Sequence, residues 1–153
     1  MNAREEKLNQ FLAQNNTQFV IPVYQRNYDW THVQCKKLLD DIIEIGNNDN
    51  INAHFIGSIV FIHNDVYSTS GYEIKELTII DGQQRLTTVT LIYLVIYKLA
   101  IELKEERLIN RINETYLINK HTSEEEKEEE KLKLRPTENK VLGSDYEEKL
   151  KKC

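Results

Sequence analysis

Cysteine, proline and glycine are scarce in this sequence. Two cysteines, Cys35 and Cys153, occur among 153 residues and share no local spacing, which excludes a disulfide framework and a zinc knuckle. Two prolines and five glycines exclude collagenous and low-complexity chains. Positive charge is not in excess either: 20 Lys and Arg stand against 25 Asp and Glu, a formal charge of −5. A generic polyanion binder needs net or clustered positive charge, so that class is excluded, while local, shape-specific contact with nucleic acid is not. After Arg85 the longest uncharged stretch runs from Leu86 to Tyr97, short of the roughly 20 residues that cross a bilayer. The opening MNAREEKLNQF is charged and lacks the apolar run of a secretory signal. A cytoplasmic protein with no membrane partner is expected.

Several kinds of chemistry are missing as well. There is no G-x-x-x-x-G-K-[ST] phosphate loop, and Ser58, Ser68 and Ser70 stand in no nucleophile-elbow context. His32, His54, His63 and His121 have no ligand spacing. On one intact strand His54 and His63 would lie roughly 30 Å apart, too far to share a metal.

What is present is an ordinary soluble domain, 40% hydrophobic and 29% charged. Composition shifts near residue 100: 19 of the first 100 residues are charged, against 26 of the last 53. Residues 1–120 are therefore expected to hold the core. Residues 121–153 are expected to form a charged loop, a short strand and the start of a further helix, cut off from a longer chain. The acidic run Glu124–Lys131 reads as solvated, LKLR from Leu132 alternates like a strand up to Pro136, and Ser144 with Glu147 makes a capping box.

Within the core, helical spacing predicts a first helix over Arg4–Gln14 and an extended segment over Thr17–Tyr24. Thr31 is the expected N-cap of a second helix that ends at Gly46, with Cys35, Leu38, Leu39, Ile42 and Ile45 as its apolar stripe. On that stripe Cys35 is a small core residue. HFIGSIVFIH, His54–His63, is apolar at nearly every position and predicts a strand covered on both faces, paired with a second run at Tyr72–Ile80. A long helix is expected from Leu86 to Asn119, its first half apolar nearly all round and hence central and buried.

Two segments carry residue types that packing does not explain. IPVYQRNYDW, Ile21–Trp30, clusters Tyr24, Tyr28 and Trp30 with Gln25, Arg26, Asn27 and Asp29. It is either an aromatic strand end whose Arg26 pairs with Asp29, or a pocket wall with stacking faces and donors for an anion or amide. The second, Asp81-Gly82-Gln83-Gln84-Arg85, links a β-run to a helix. Gly82 permits a tight turn and close approach, the amides that follow favour phosphate, and Arg85 adds a bidentate charge. Asp81 either holds a metal or caps the helix; Gln83 and Gln84 orient a water or read an amide edge.

In this order, IPVYQRNYDW, HFIGSIVF and LTIIDGQQRLTT with an apolar helix behind it resemble the N-terminal domain of the GmrSD-type restriction endonucleases, modification-dependent systems used against phage DNA. The likeness is close over Phe19–Leu99 and looser through Leu132–Lys140. It implies an α+β domain of the ParB/sulfiredoxin type, with short mixed strands on a long buried helix. It implies a nucleoside triphosphate and Mg²⁺ as cofactors, and coupling to a C-terminal His-Asn-His nuclease domain or subunit that these 153 residues do not contain. Carried over by motif, Asp81, Gln83, Gln84 and Arg85 are the catalytic candidates and Asp81 the metal ligand. Gly82, Gln83, Gln84, Arg85 and Thr87, with Tyr24, Gln25 and Arg26 upstream, are the nucleotide-binding candidates. Modified DNA is the expected partner through a larger assembly, in which the domain can form oligomers. Two functions follow: a nucleotide-binding, NTP-hydrolysing regulator, or a recognition module for modified DNA or a protein without turnover.

Overall fold

Every residue from Thr17 to Ile21 is buried, and the rest of the fold is laid around this segment. The computed structural model describes residues 5–49, 54–63, 67–69, 72–119 and 132–136. In chain order the elements are α1 (Leu8–Leu12), β1 (Thr17–Ile21), α2 (His32–Asn47), β2 (Val60–His63), β3 (Tyr67–Thr69), β4 (Tyr72–Asp81), α3 (Gln83–Glu102), α4 (Glu106–Ile112), a π-helical turn (Asn113–Leu117) and β5 (Leu134–Pro136).

The sheet is mixed, in the order β2-β4-β1-β5, and with the flanking helices it makes the expected α+β fold. β1 lies parallel to β4, with Phe19 beside Leu77, and parallel to β5, with Phe19 beside Leu134. β2 and β3 run antiparallel to β4 along one edge, His63 beside Leu77 and Tyr67 beside Ile74, so the two expected β-runs do form a hairpin. One face of β1 and β4 presents Phe19, Leu77 and Ile79 to Phe11 and Leu12 of α1, Leu38 of α2, and Leu86 and Val89 of α3. The Phe11 ring stands 4.9 Å from Phe19 and 5.5 Å from Phe61, binding α1 to two strands at once.

Several boundaries differ from expectation for identifiable reasons. β1 stops at Ile21 because Pro22 has no N–H to continue a ladder, and the chain turns back with Gln25 N on Pro22 O at 3.1 Å. α1 is Leu8–Leu12, and Arg4 of the expected Arg4–Gln14 helix lies outside the described residues. Thr31 caps α2 as expected, its Oγ1 accepting from Val33 N while Thr31 N donates to Gln34 Oε1. That helix runs through Gly46 to Asn47, and its apolar stripe is only partly covered: Leu38 is buried, Leu39 and Ile42 are exposed. Only Val60–His63 of the His54–His63 run is strand, and Ile62 is 52% exposed, so the segment is not covered on both faces.

The helix expected from Leu86 to Asn119 is broken. α3 ends at Glu102, and Lys104 takes a left-handed φ of 58°. Lys104 N then bonds Ile101 O (3.1 Å) and Glu105 N bonds Ala100 O (2.9 Å), a Schellman closure without glycine. Nor is its first half buried throughout. Leu86–Val89 are buried, Leu86 and Val89 in the core, whereas Val95, Ile96 and Leu99 are exposed. The π-helical turn packs on this half of the helix, where Tyr93 stacks on Tyr116 at 4.1 Å. The LKLR strand is real and joins β1; Glu124–Lys131 and the Ser144 capping box lie outside the described residues.

Just ahead of β5, Lys133 is 3% exposed and donates from Nζ to Leu12 O (3.1 Å) and Gln14 O (2.9 Å). Burial lowers its pKa from 10.5 to about 8. Between those values the folded chain binds fewer protons than the unfolded one, so stability rises with pH. Urea titrations are expected to show a Lys133 contribution of about 2 kcal/mol gained from pH 8 to pH 10, read as the difference between the parent and Lys133→Met. Above pH 10 the sign reverses, because burial raises Tyr28 and Tyr93 to about 12 and the folded state there keeps protons the unfolded state has lost. A flat difference from pH 8 to 10 would contradict the placement of Lys133.

Candidate functional site

β1 and β4 point the same way and β2 runs against them, so three connections meet at one end of the sheet. They are Pro22–Trp30 after β1, Asp81–Arg85 after β4, and His54–Ile59 ahead of β2. Ligands of sheets with parallel strands sit outside this carboxyl end, and here it holds both segments singled out from the sequence.

The turn itself is fixed by its surroundings. Asp81 ends β4 beside Val60, with its side chain exposed. Gly82 is the N-cap of α3 at φ 92°, and a Cβ there would lie 3.1 Å from Ser58 O and 3.2 Å from Ile59 Cα. Glycine is required twice, by the left-handed backbone and by the lead-in to β2 packed against it. The capping position thus falls to a residue without a side chain, one place beyond Asp81.

Behind the turn, the two segments are stitched together by glutamine side chains. Gln83 Nε2 donates to Arg26 O at 2.9 Å and Gln84 Nε2 to Asn27 O at 3.0 Å, while Gln84 Oε1 accepts from Asp29 N at 3.1 Å. From the other side Gln25 Nε2 donates to Ile80 O at 2.8 Å. Gln83 and Gln84 are 7% and 6% exposed, so these bonds are made inside the protein, where they count most. Tyr28 adds a further tie: its hydroxyl lies 3.0 Å from Thr88 Oγ1 and 3.1 Å from Cys35 Sγ. Burial first, then the Cys35 contact, pushes the phenol up to about 12. Cys35, expected simply as a core residue, is therefore half-buried and part of this polar cluster.

The charged residues sit in front. Arg85 is half-exposed and donates from one guanidinium nitrogen to Ser58 O at 2.6 Å. Its guanidinium lies directly over Gly57, at φ 107°, where a Cβ would stand 2.6 Å from Cζ. Arg26 is exposed and pairs with Asp29 at 2.9 Å, as the blander sequence reading has it. Tyr24 is 69% exposed beside them, whereas Thr87 is 4% exposed and faces inward. Among the described residues no three His, Cys, Asp or Glu side chains form a group able to hold a metal ion.

Gly57 and Ser58 lie outside both segments that the sequence singles out, although an isolated glycine within an apolar β-like run signals a bulge or a close approach. The same glycine seats Arg85 and breaks the expected strand.

A family model described as the GmrSD restriction endonuclease, N-terminal domain, matches residues 8–152, well beyond the stretch where the motifs lie. No curated protein matches the chain. With nearly the whole sequence covered and both motif segments joined at one sheet end, the chain belongs to the family of GmrSD restriction endonuclease N-terminal domains.

Proposed function

We propose that this chain is a nucleotide-responsive domain of a restriction system directed against foreign DNA, with the phosphates of a nucleoside triphosphate held against the Asp81–Arg85 turn. The observation that carries the reading is Arg85, seated over Gly57 at the start of α3 with one N–H engaged by Ser58 O. A guanidinium offers five donors in a rigid fork, so a single backbone bond orients it and leaves capacity for an anion. The dipole of the 20-residue α3 favours negative charge at the same place. Mg²⁺ commonly binds through one or two carboxylates together with substrate phosphates; exposed Asp81 suits that donor set. Gln83 and Gln84 act as positioning residues, holding the Arg26–Asp29 loop beside the turn. A formal charge of −5 gives no general attraction to DNA, so DNA and a nuclease domain belong to a larger assembly.

Calorimetric titration with each of the four ribonucleoside triphosphates plus Mg²⁺ tests this. The parent is expected to bind saturably and Arg85→Ala to bind at least about tenfold more weakly, as loss of a charge-assisted bidentate contact implies. No binding by the folded parent at millimolar nucleotide would sink the reading. The exposure of Tyr24, 69%, favours a second one, a recognition module without turnover. In that case Tyr24→Ala abolishes binding of modified DNA and nucleotide has no effect.

A further inference from the structure

Phe55 is 80% exposed, more than any other large apolar side chain among the described residues. Its loop is nonetheless anchored. Ile56 and Ile59 pack against the core, Gly57 lies under Arg85, and Ser58 O accepts from it. The ring is thus turned outward by a fixed backbone at the sheet end where Asp81 and Gly82 emerge. On the other side of β4, following β1, stands the exposed Tyr24, its loop tied to β4 through Gln25 and Ile80 O. The loops on either side of the turn, one leading into β2 and one leaving β1, therefore each carry an exposed aromatic residue.

On the nucleotide reading of that turn, we propose that Phe55 stacks on the base of the bound nucleotide, with Tyr24 bounding the site on the far side. Phe55 precedes Gly57 by two residues, at most about 7 Å of chain, and the Arg85 guanidinium lies on Gly57. That span is comparable to the one between a nucleoside's base and its 5′-phosphate. Stacking on an aromatic ring is indifferent to base identity, since every base has a π-face. The ring therefore takes all four ribonucleotides with little discrimination.

The test compares the parent, Phe55→Ala, Phe55→Tyr and Arg85→Ala for binding of the four ribonucleoside triphosphates and of inorganic tripolyphosphate, all with Mg²⁺. Phe55→Ala is expected to weaken every nucleotide about tenfold and to leave tripolyphosphate unchanged, and Phe55→Tyr to restore the parent affinity. Arg85→Ala weakens nucleotide and tripolyphosphate alike. Undiminished nucleotide affinity in Phe55→Ala, or an equal loss for tripolyphosphate, overturns the stacking role while the phosphate site stands. If the parent binds neither nucleotide nor tripolyphosphate, the phosphate site and the stacking role fall together.

Discussion

Replacing Gln84 by alanine is expected to lower the unfolding free energy by about 3 kcal/mol. The side chain is 6% exposed and carries two bonds to a loop 55 and 57 residues away, accepting from Asp29 N and donating to Asn27 O. Alanine leaves both backbone groups without these partners, and the loss of a buried hydrogen-bonded group exceeds the net worth of the bonds themselves. Trp30, the single tryptophan of the chain, packs against the core at the end of the same loop. Its fluorescence should shift to the red in the folded variant, reporting a loosened loop. An unchanged urea midpoint with unchanged emission would show that the glutamine stitch is incidental. For nucleotide binding the expected result is a partial loss, since the loop is displaced but Arg85 remains.

Gly57→Ala is expected to act on stability and binding together. A φ of 107° is strained for any residue with a Cβ, and that Cβ would stand 2.6 Å from Arg85 Cζ. The guanidinium is the mobile end of its side chain and gives way, breaking its bond to Ser58 O. The remaining backbone strain and the lost bond together amount to roughly 2 to 3 kcal/mol. Nucleotide affinity should fall to the level of Arg85→Ala. Gly82→Ala provides the contrast, because its nearest neighbours are Ile59 and the Ser58 carbonyl rather than the guanidinium. Calorimetry on folded Gly57→Ala that still binds nucleotide as the parent does would show that Arg85 need not lie over Gly57 to bind.

How far the fold was legible follows the range of the interactions involved. The Thr31 cap of α2, the hairpin of β2 with β4 and the break at Gly82 rest on contacts within a few residues or on local alternation, and all could be read directly. The end of α3 could not. Its left-handed residue is Lys104, where a glycine would have announced it, and the closure is visible only in the backbone bonds. The His54–His63 run misled for a related reason. An apolar pattern does not distinguish a covered strand from a loop anchored by Ile56 and Ile59, and Gly57 alone hinted at the difference.

The sequence by itself determined the composition class, the α+β fold class, and the identity of the two segments that form the candidate site. Those depend on residue type and short spacing, which a chain displays before it folds. Only the tertiary structure decided what each site residue touches. Gln83 and Gln84, candidates for water orientation on sequence grounds, have amides bonded to the Arg26 and Asn27 carbonyls 57 residues away. Arg85 owes its orientation to Gly57 and Ser58 on another strand's lead-in. A side chain's partner is set by which segments the sheet order brings to one end, and no local pattern encodes that juxtaposition.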